Sequence, residues 1–215
     1  MAIQDDILLP ITQNKNKVPF DFQRKEKIDK ELSGIKTVYS NKESDKDLKS
    51  LFKERFEALT GSFFEFSSKE ELAELLTKLP ENNPVFFSYN KEISNLIKSS
   101  NLPVAENITN SNITVTYCDY LIARTGTIMV SSFSVIGRRV ISYPDIHVIV
   151  AAKDQLVFDL SDAVEDFYST HKNNFPSFVS FITGPSKTAD IEKTLILGAH
   201  GPKKIYLFLS NNKII

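Results

Sequence analysis

The chain has 215 residues, of which 41% are apolar, 25% are charged and 16 are Phe. That is enough apolar material for a full core, and it excludes disordered, collagen-like and coiled-coil classes. The 26 Lys and Arg against 27 Asp and Glu leave a net charge of −1, with no long run of one sign; this points away from nucleic acid and from a polybasic membrane patch. The single cysteine, Cys118, can form no internal disulfide and cannot by itself hold zinc or an iron–sulfur cluster, so no metal site is expected in this chain.

Residues 1–44 read as an N-terminal arm, because polar residues such as Lys15, Lys17, Arg24 and Lys27 dominate between scattered apolar ones. Residues 45–215 read as one domain. The apolar run Ile7–Ile11 follows Asp5 and Asp6, and it is too short and wrongly flanked for a signal peptide. No stretch approaches the ~20 apolar residues of a membrane span. A cytoplasmic location is expected, with a reducing environment for Cys118.

In chain order, Leu48, Leu51, Phe52, Phe56 and Leu59 recur at helical spacing, with Gly61 placed to cap the helix. Ser62–Phe66 is a strand, and Ser68 with Glu71 forms a capping box ahead of Leu72, Leu75, Leu76 and Leu79. Val85–Phe87 is the next strand, followed by a helix over Lys91–Ser99 capped by Asn90. This βαβα rhythm predicts a mostly parallel sheet with helices on its faces. Strand-like runs then become denser at Thr114–Tyr117, Tyr120–Arg124, Thr127–Ser131, Ile146–Ala151, Phe178–Ile182 and Ile205–Leu209. Thr125-Gly126 suggests a tight hairpin, and Ser161–Tyr168 a helix set among the last βα crossings.

Three segments carry the residue types of a binding site. Thr183-Gly184-Pro185-Ser186-Lys187-Thr188 follows an apolar strand, and in open α/β sheets ligands bind beyond the carboxyl ends of strands. Gly184 permits close backbone approach, Ser186 and Thr188 offer hydroxyls, and Lys187 offers a cation. The competing interpretation is a helix start capped by Ser186 or Thr188, with Asp190 and Glu192 in its first turn. Gly198-Ala199-His200-Gly201-Pro202 places a histidine, able to carry protons near neutrality, between glycines. Gly137-Arg138-Arg139 can clamp an anion. His147 alone reads as a satisfied histidine at a strand edge, and His171 as solvated. No P-loop, GxGxxG, GxSxG, HExxH or CxxC motif is present.

Taken in order, Tyr120–Thr127, Gly137-Arg138-Arg139, Pro144–Val150, Ile182–Glu192 and Gly198–Pro202 resemble the LUD-domain family, the lactate-utilization protein C and YkgG-like group. The resemblance covers roughly residues 48–210. It implies a three-layer α/β/α sandwich similar to the NagB/RpiA/CoA transferase-like superfamily, and a role in converting L-lactate to pyruvate. It also implies iron–sulfur partner proteins that hold the clusters, with no cofactor intrinsic to this chain. The family pattern falls on Thr125, Gly126, Thr127, Arg138, His147, Gly184, Ser186, Thr188, Asp190, Glu192 and His200. On this basis Arg138 and Lys187 are expected to hold a small anionic metabolite, Ser186 and Thr188 to orient it, and Asp190, Glu192 or His200 to carry protons. Arg124 stands where the group often has an acid, which would reverse the charge beside the site. The alternatives are a non-catalytic assembly or regulatory subunit, or a free-standing CoA transferase or sugar-phosphate isomerase-like enzyme.

Overall fold

The computed structural model describes residues 47–189, 195–197 and 201–212; the arm expected over residues 1–44 lies outside them. Helix α1 spans Leu48–Ala58 and buries Leu51, Phe52 and Phe56, the stripe that the 3.6-residue spacing predicts. Its carboxyl end departs from expectation. Thr60, not Gly61, takes the left-handed conformation, with φ 70°. The Thr60 and Gly61 amides donate to the Glu57 and Phe56 carbonyls at 2.9 and 3.0 Å, the paired bonds of a Schellman motif. Gly61 serves a different need, because a Cβ there would lie 2.5 Å from the Phe56 ring. A β-branched residue in the left-handed region is strained, so Thr60→Gly is expected to raise the unfolding free energy by about 1 kcal/mol in urea denaturation. A less stable variant would mean that the hydroxyl bond from Thr60 to the Leu59 carbonyl outweighs the strain.

Strand β1 (Ser62–Phe66) runs through Ser68 into α2 (Lys69–Thr77). The Ser68 hydroxyl accepts the Glu71 amide at 3.2 Å, the N-cap half of the capping box legible in sequence, while the Glu71 carboxylate reaches one residue further back and accepts the Ser67 amide at 2.7 Å. Next come β2 (Phe86–Phe87), α3 (Lys91–Ser99), β3 (Ile113–Tyr117), β4 (Tyr120–Ile122), β5 (Thr127–Ser131), β6 (Ile146–Ala152) and β7 (Leu156–Val157). The order closes with α4 (Leu160–His171), β8 (Val179–Ile182), β9 (Lys187–Ala189), β10 (Leu195–Leu197) and β11 (Lys204–Ser210).

Five strands form a wholly parallel sheet in the order β1-β11-β6-β3-β2. Every residue of β6 is buried, as in a parallel strand covered on both faces. On one face Ile146, Val148, Val150 and Phe208 pack with Leu72 and Leu76 of α2 and Ile93 and Ile97 of α3. On the other face Ile149, Ala151, Leu207 and Leu209 pack against α1 and a second sheet, ordered β7-β4-β5-β8. Helix α4 joins that second sheet through Ala163 and Phe167, which pack on Ile122 and Met129. The fold is therefore α/β with a mostly parallel sheet, and the layer on one side mixes helix with antiparallel strands.

Two local expectations change. The strand over 178–182 is not part of a βα crossing: β8 pairs antiparallel with β5, with Ile128 opposite Ile182 and Ser131 opposite Val179. An apolar run reports burial and not the partner strand, which is why sequence alone misplaced it. Lys187–Ala189 is a strand paired antiparallel with Leu195–Leu197 and not the start of a helix. Among the described residues no helix is long and apolar enough to cross a membrane.

Candidate functional site

The hairpin turn between β4 and β5 and the loop after β8 meet beside the carboxyl end of α1. Gly126 and Gly184 both have positive φ, 64° and 86°, and both press onto that helix end. A Cβ on Gly126 would sit 2.6 Å from the Phe56 amide nitrogen, and one on Gly184 would sit 2.9 Å from the Leu59 carbonyl oxygen. The close approach aligns three hydroxyls. Thr125 donates to Thr127 at 2.9 Å, and Thr127 and Thr183 share a bond of 3.0 Å. Either hydroxyl can be the donor in that second bond, and the chain of hydroxyls ends at Thr183, an exposed residue.

The same corner includes Ser186, whose amide donates to the Pro202 carbonyl at 2.9 Å. Gly201 lets that contact form, since a Cβ there would lie 3.2 Å from the Ser186 Cβ. Lys187 is exposed one residue further on. Lys203 bonds Asp145 through both its amide and its ammonium group, each at 2.8 Å, tying the starts of β6 and β11 together. The carboxyl end of α1 directs partial negative charge towards this corner, and Arg55 lies in its last turn. The corner brings together three hydroxyls and stands close in sequence to the exposed Lys187.

Not every expected residue joins this group. Arg138 donates to the Ser177 carbonyl at 3.3 Å and lies 5.5 Å from the Phe178 ring centroid. That is the opposite end of β8 from Thr183, about 20 Å away along an extended chain, so Arg138 and Lys187 do not converge. His147 lies in central β6, not at a strand edge, and is fully buried. Its Nε2 meets the Thr116 hydroxyl at 2.8 Å, while its Nδ1 has no partner. Burial pushes its imidazole down to about 3, so the ring is neutral. Asp190, Glu192, His200 and the side chain of Thr188 lie outside the described residues.

Two further expectations are corrected. Arg124 brings no open charge reversal, because its guanidinium pairs with Asp159 at 2.7 Å, the residue that caps α4. His171 is not simply solvated; its ring lies 4.7 Å from that of Phe133 and 4.6 Å from that of Phe167. Thr183 opens the candidate segment but had no role assigned from sequence, because its link to Thr127 arises only from the β5–β8 pairing. The carboxyl ends of the parallel strands lie elsewhere. They open on a cavity of about 580 Å³ lined by Phe66, Tyr117, Val150 and Ser210 together with residues of α2 and α3.

A parallel sheet, a second mixed sheet and a glycine-pinned hydroxyl corner define an α/β protein. The sequence model of the LUD domain matches residues 95–209, and the chain belongs to that family. The match begins later than the 48–210 span of the resemblance, within α3. A lactate utilization protein C of Macrococcus caseolyticus is 32% identical over 117 residues, covering 54% of this chain and 49% of that protein. The lactate utilization protein C of Bacillus subtilis is 33% identical over 104 residues, covering 47% and 43%. The chain thus spans about half the length of the curated relatives it matches. A crystal structure of a DUF162 family protein from Deinococcus radiodurans shares the fold, with a TM-score of 0.59, 20% identity, and coverage of 76% of this chain and 96% of that one.

Proposed function

We propose that this chain serves L-lactate utilization, acting with iron–sulfur partner proteins in the conversion of lactate to pyruvate, and that it holds a small anionic metabolite at the corner formed by residues 125–127, 183–187 and 201–202. The observation that carries the ligand part is the hydroxyl chain ending at exposed Thr183 beside Lys187. The names of the M. caseolyticus and B. subtilis relatives support the metabolic assignment. Cys118 is buried, and burial with neighbouring Asp119 pushes its thiol up, so in this reading cluster chemistry falls to the partners. Asp190, Glu192 and His200 are the proposed proton carriers.

Deleting this chain from its host is expected to stop growth on L-lactate as sole carbon source, with growth restored by the wild-type chain and much reduced with Thr127→Val. Undiminished growth of the deletion strain would overturn the assignment. Full restoration by Thr127→Val would remove the hydroxyl chain from the mechanism.

A further inference from the structure

The carboxyl end of the parallel sheet holds a cavity, and its origin is topological. After β1 and β2 the chain passes into α2 and α3 on one face, whereas after β3 it leaves for the face covered by the second sheet. On the helix side the carboxyl ends of the middle strands are therefore left uncovered, and a crevice at diverging strand exits is where open α/β sheets take ligands. The cavity there measures about 580 Å³, within the range of small-molecule sites. Its floor is apolar, formed by Phe66, Ile93, Leu96 and Val150.

The walls carry one base and one acid. Lys69 opens α2 and Glu92 is the second residue of α3, and both line the cavity. Neither has a hydrogen bond or ion pair among the described residues. At the start of α2 the Ser68 hydroxyl accepts the Glu71 amide, while the Glu71 carboxylate accepts the Ser67 amide just outside the helix. An anion alone would leave Glu92 opposed to it, a cation alone would leave Lys69 opposed to it, and a neutral ligand would match neither.

We propose that this cavity binds a small zwitterion of the α-amino-acid class with an apolar side chain. The ligand ammonium meets Glu92, its carboxylate meets Lys69, and its side chain lies on Ile93, Leu96 and Val150. Tyr117 also lines the cavity, and its phenol is raised first by burial and then by Glu92. This site is separate from the hydroxyl corner and does not depend on the lactate reading.

Thermal unfolding and calorimetry of the full chain with L-leucine and L-phenylalanine test it. Saturating amino acid is expected to raise the melting temperature by roughly 5–10 °C. 4-Methyl-2-oxopentanoate, which lacks the ammonium, and isopentylamine, which lacks the carboxylate, are each expected to bind at least about tenfold more weakly. Glu92→Gln, a surface change that leaves the core intact, is expected to remove the preference for leucine over the oxo acid. Equal binding of the oxo acid and leucine, an unchanged preference in Glu92→Gln, or no binding of either amino acid at about 10 mM would each overturn the proposal.

Discussion

Gly126→Ala is expected to lower the unfolding free energy by about 3–4 kcal/mol, whereas Gly137→Ala should cost only about 1 kcal/mol. Both glycines sit at positive φ, 64° and 86°, so both variants carry the backbone penalty. They differ in what the new methyl meets. At Gly137 the nearest atom is 3.7 Å away on the Tyr89 ring, while at Gly126 it is the Phe56 backbone nitrogen at 2.6 Å with the Arg55 carbonyl carbon at 2.7 Å. Helix backbone cannot rotate aside as a side chain does, so α1 would have to part from the hairpin turn. Urea denaturation of the two variants side by side reads the difference directly. Equal losses would mean that α1 moves freely and that the hydroxyl corner is not pinned by it.

A second large effect is expected in acid. The imidazole of His147 titrates at about 3 in the folded chain because of burial, against an ordinary value of 6.5. As pH falls from 6.5, unfolded chains take up a proton that the folded chain refuses, so stability is lost at about 1.4 kcal/mol per pH unit. By pH 3 the accumulated loss is about 4 kcal/mol. Burial acts on Asp119 in the opposite sense: it raises that carboxyl, so the folded chain binds this proton first and offsets part of the loss. His147→Gln keeps a hydrogen-bonding group for Thr116 but does not titrate, and its stability should fall less steeply over the same range. Parallel pH profiles for the two chains would place the acid sensitivity outside His147.

The residues make clear why some features were legible in sequence and others were not. Helices α2 and α3 appear at their expected positions because their starts are written locally, in Ser68 with Glu71 and in Asn90, whose side chain accepts the Ile93 amide at 3.0 Å. Strand β1 likewise matches its aromatic run exactly at Ser62–Phe66. Helix α4 runs to His171, three residues beyond Tyr168; Ser169, Thr170 and His171 show no apolar period, and the His171 ring meets Phe167 one turn back and Phe133, which is distant in sequence. The second sheet was hidden for a related reason. The apolar runs Thr127–Ser131 and Val179–Ile182 signal strand, but nothing local tells one strand to pair antiparallel with another about 50 residues away. The site follows the same division. Gly126, Gly184, Ser186 and Lys187 stood out by type and spacing, but Thr183 acquired its place only through tertiary pairing. Lys69 and Glu92 carried no signal in sequence, and only the topology brings both to one cavity.

The position of β11 between β1 and β6 has a consequence for how the chain is made. Residues 62–66 and 146–152 leave the ribosome long before residues 204–210, so a nascent chain holds two apolar strands whose shared neighbour does not yet exist. Until β11 arrives, both present unpaired backbone edges capable of joining another chain. The parallel contacts β11 makes with β1 span about 140 residues of sequence, a separation that slows folding. Completion of the sheet is therefore gated by the arrival of seven residues, Lys204–Ser210, and the exposed edges of β1 and β6 need shielding until those residues pair.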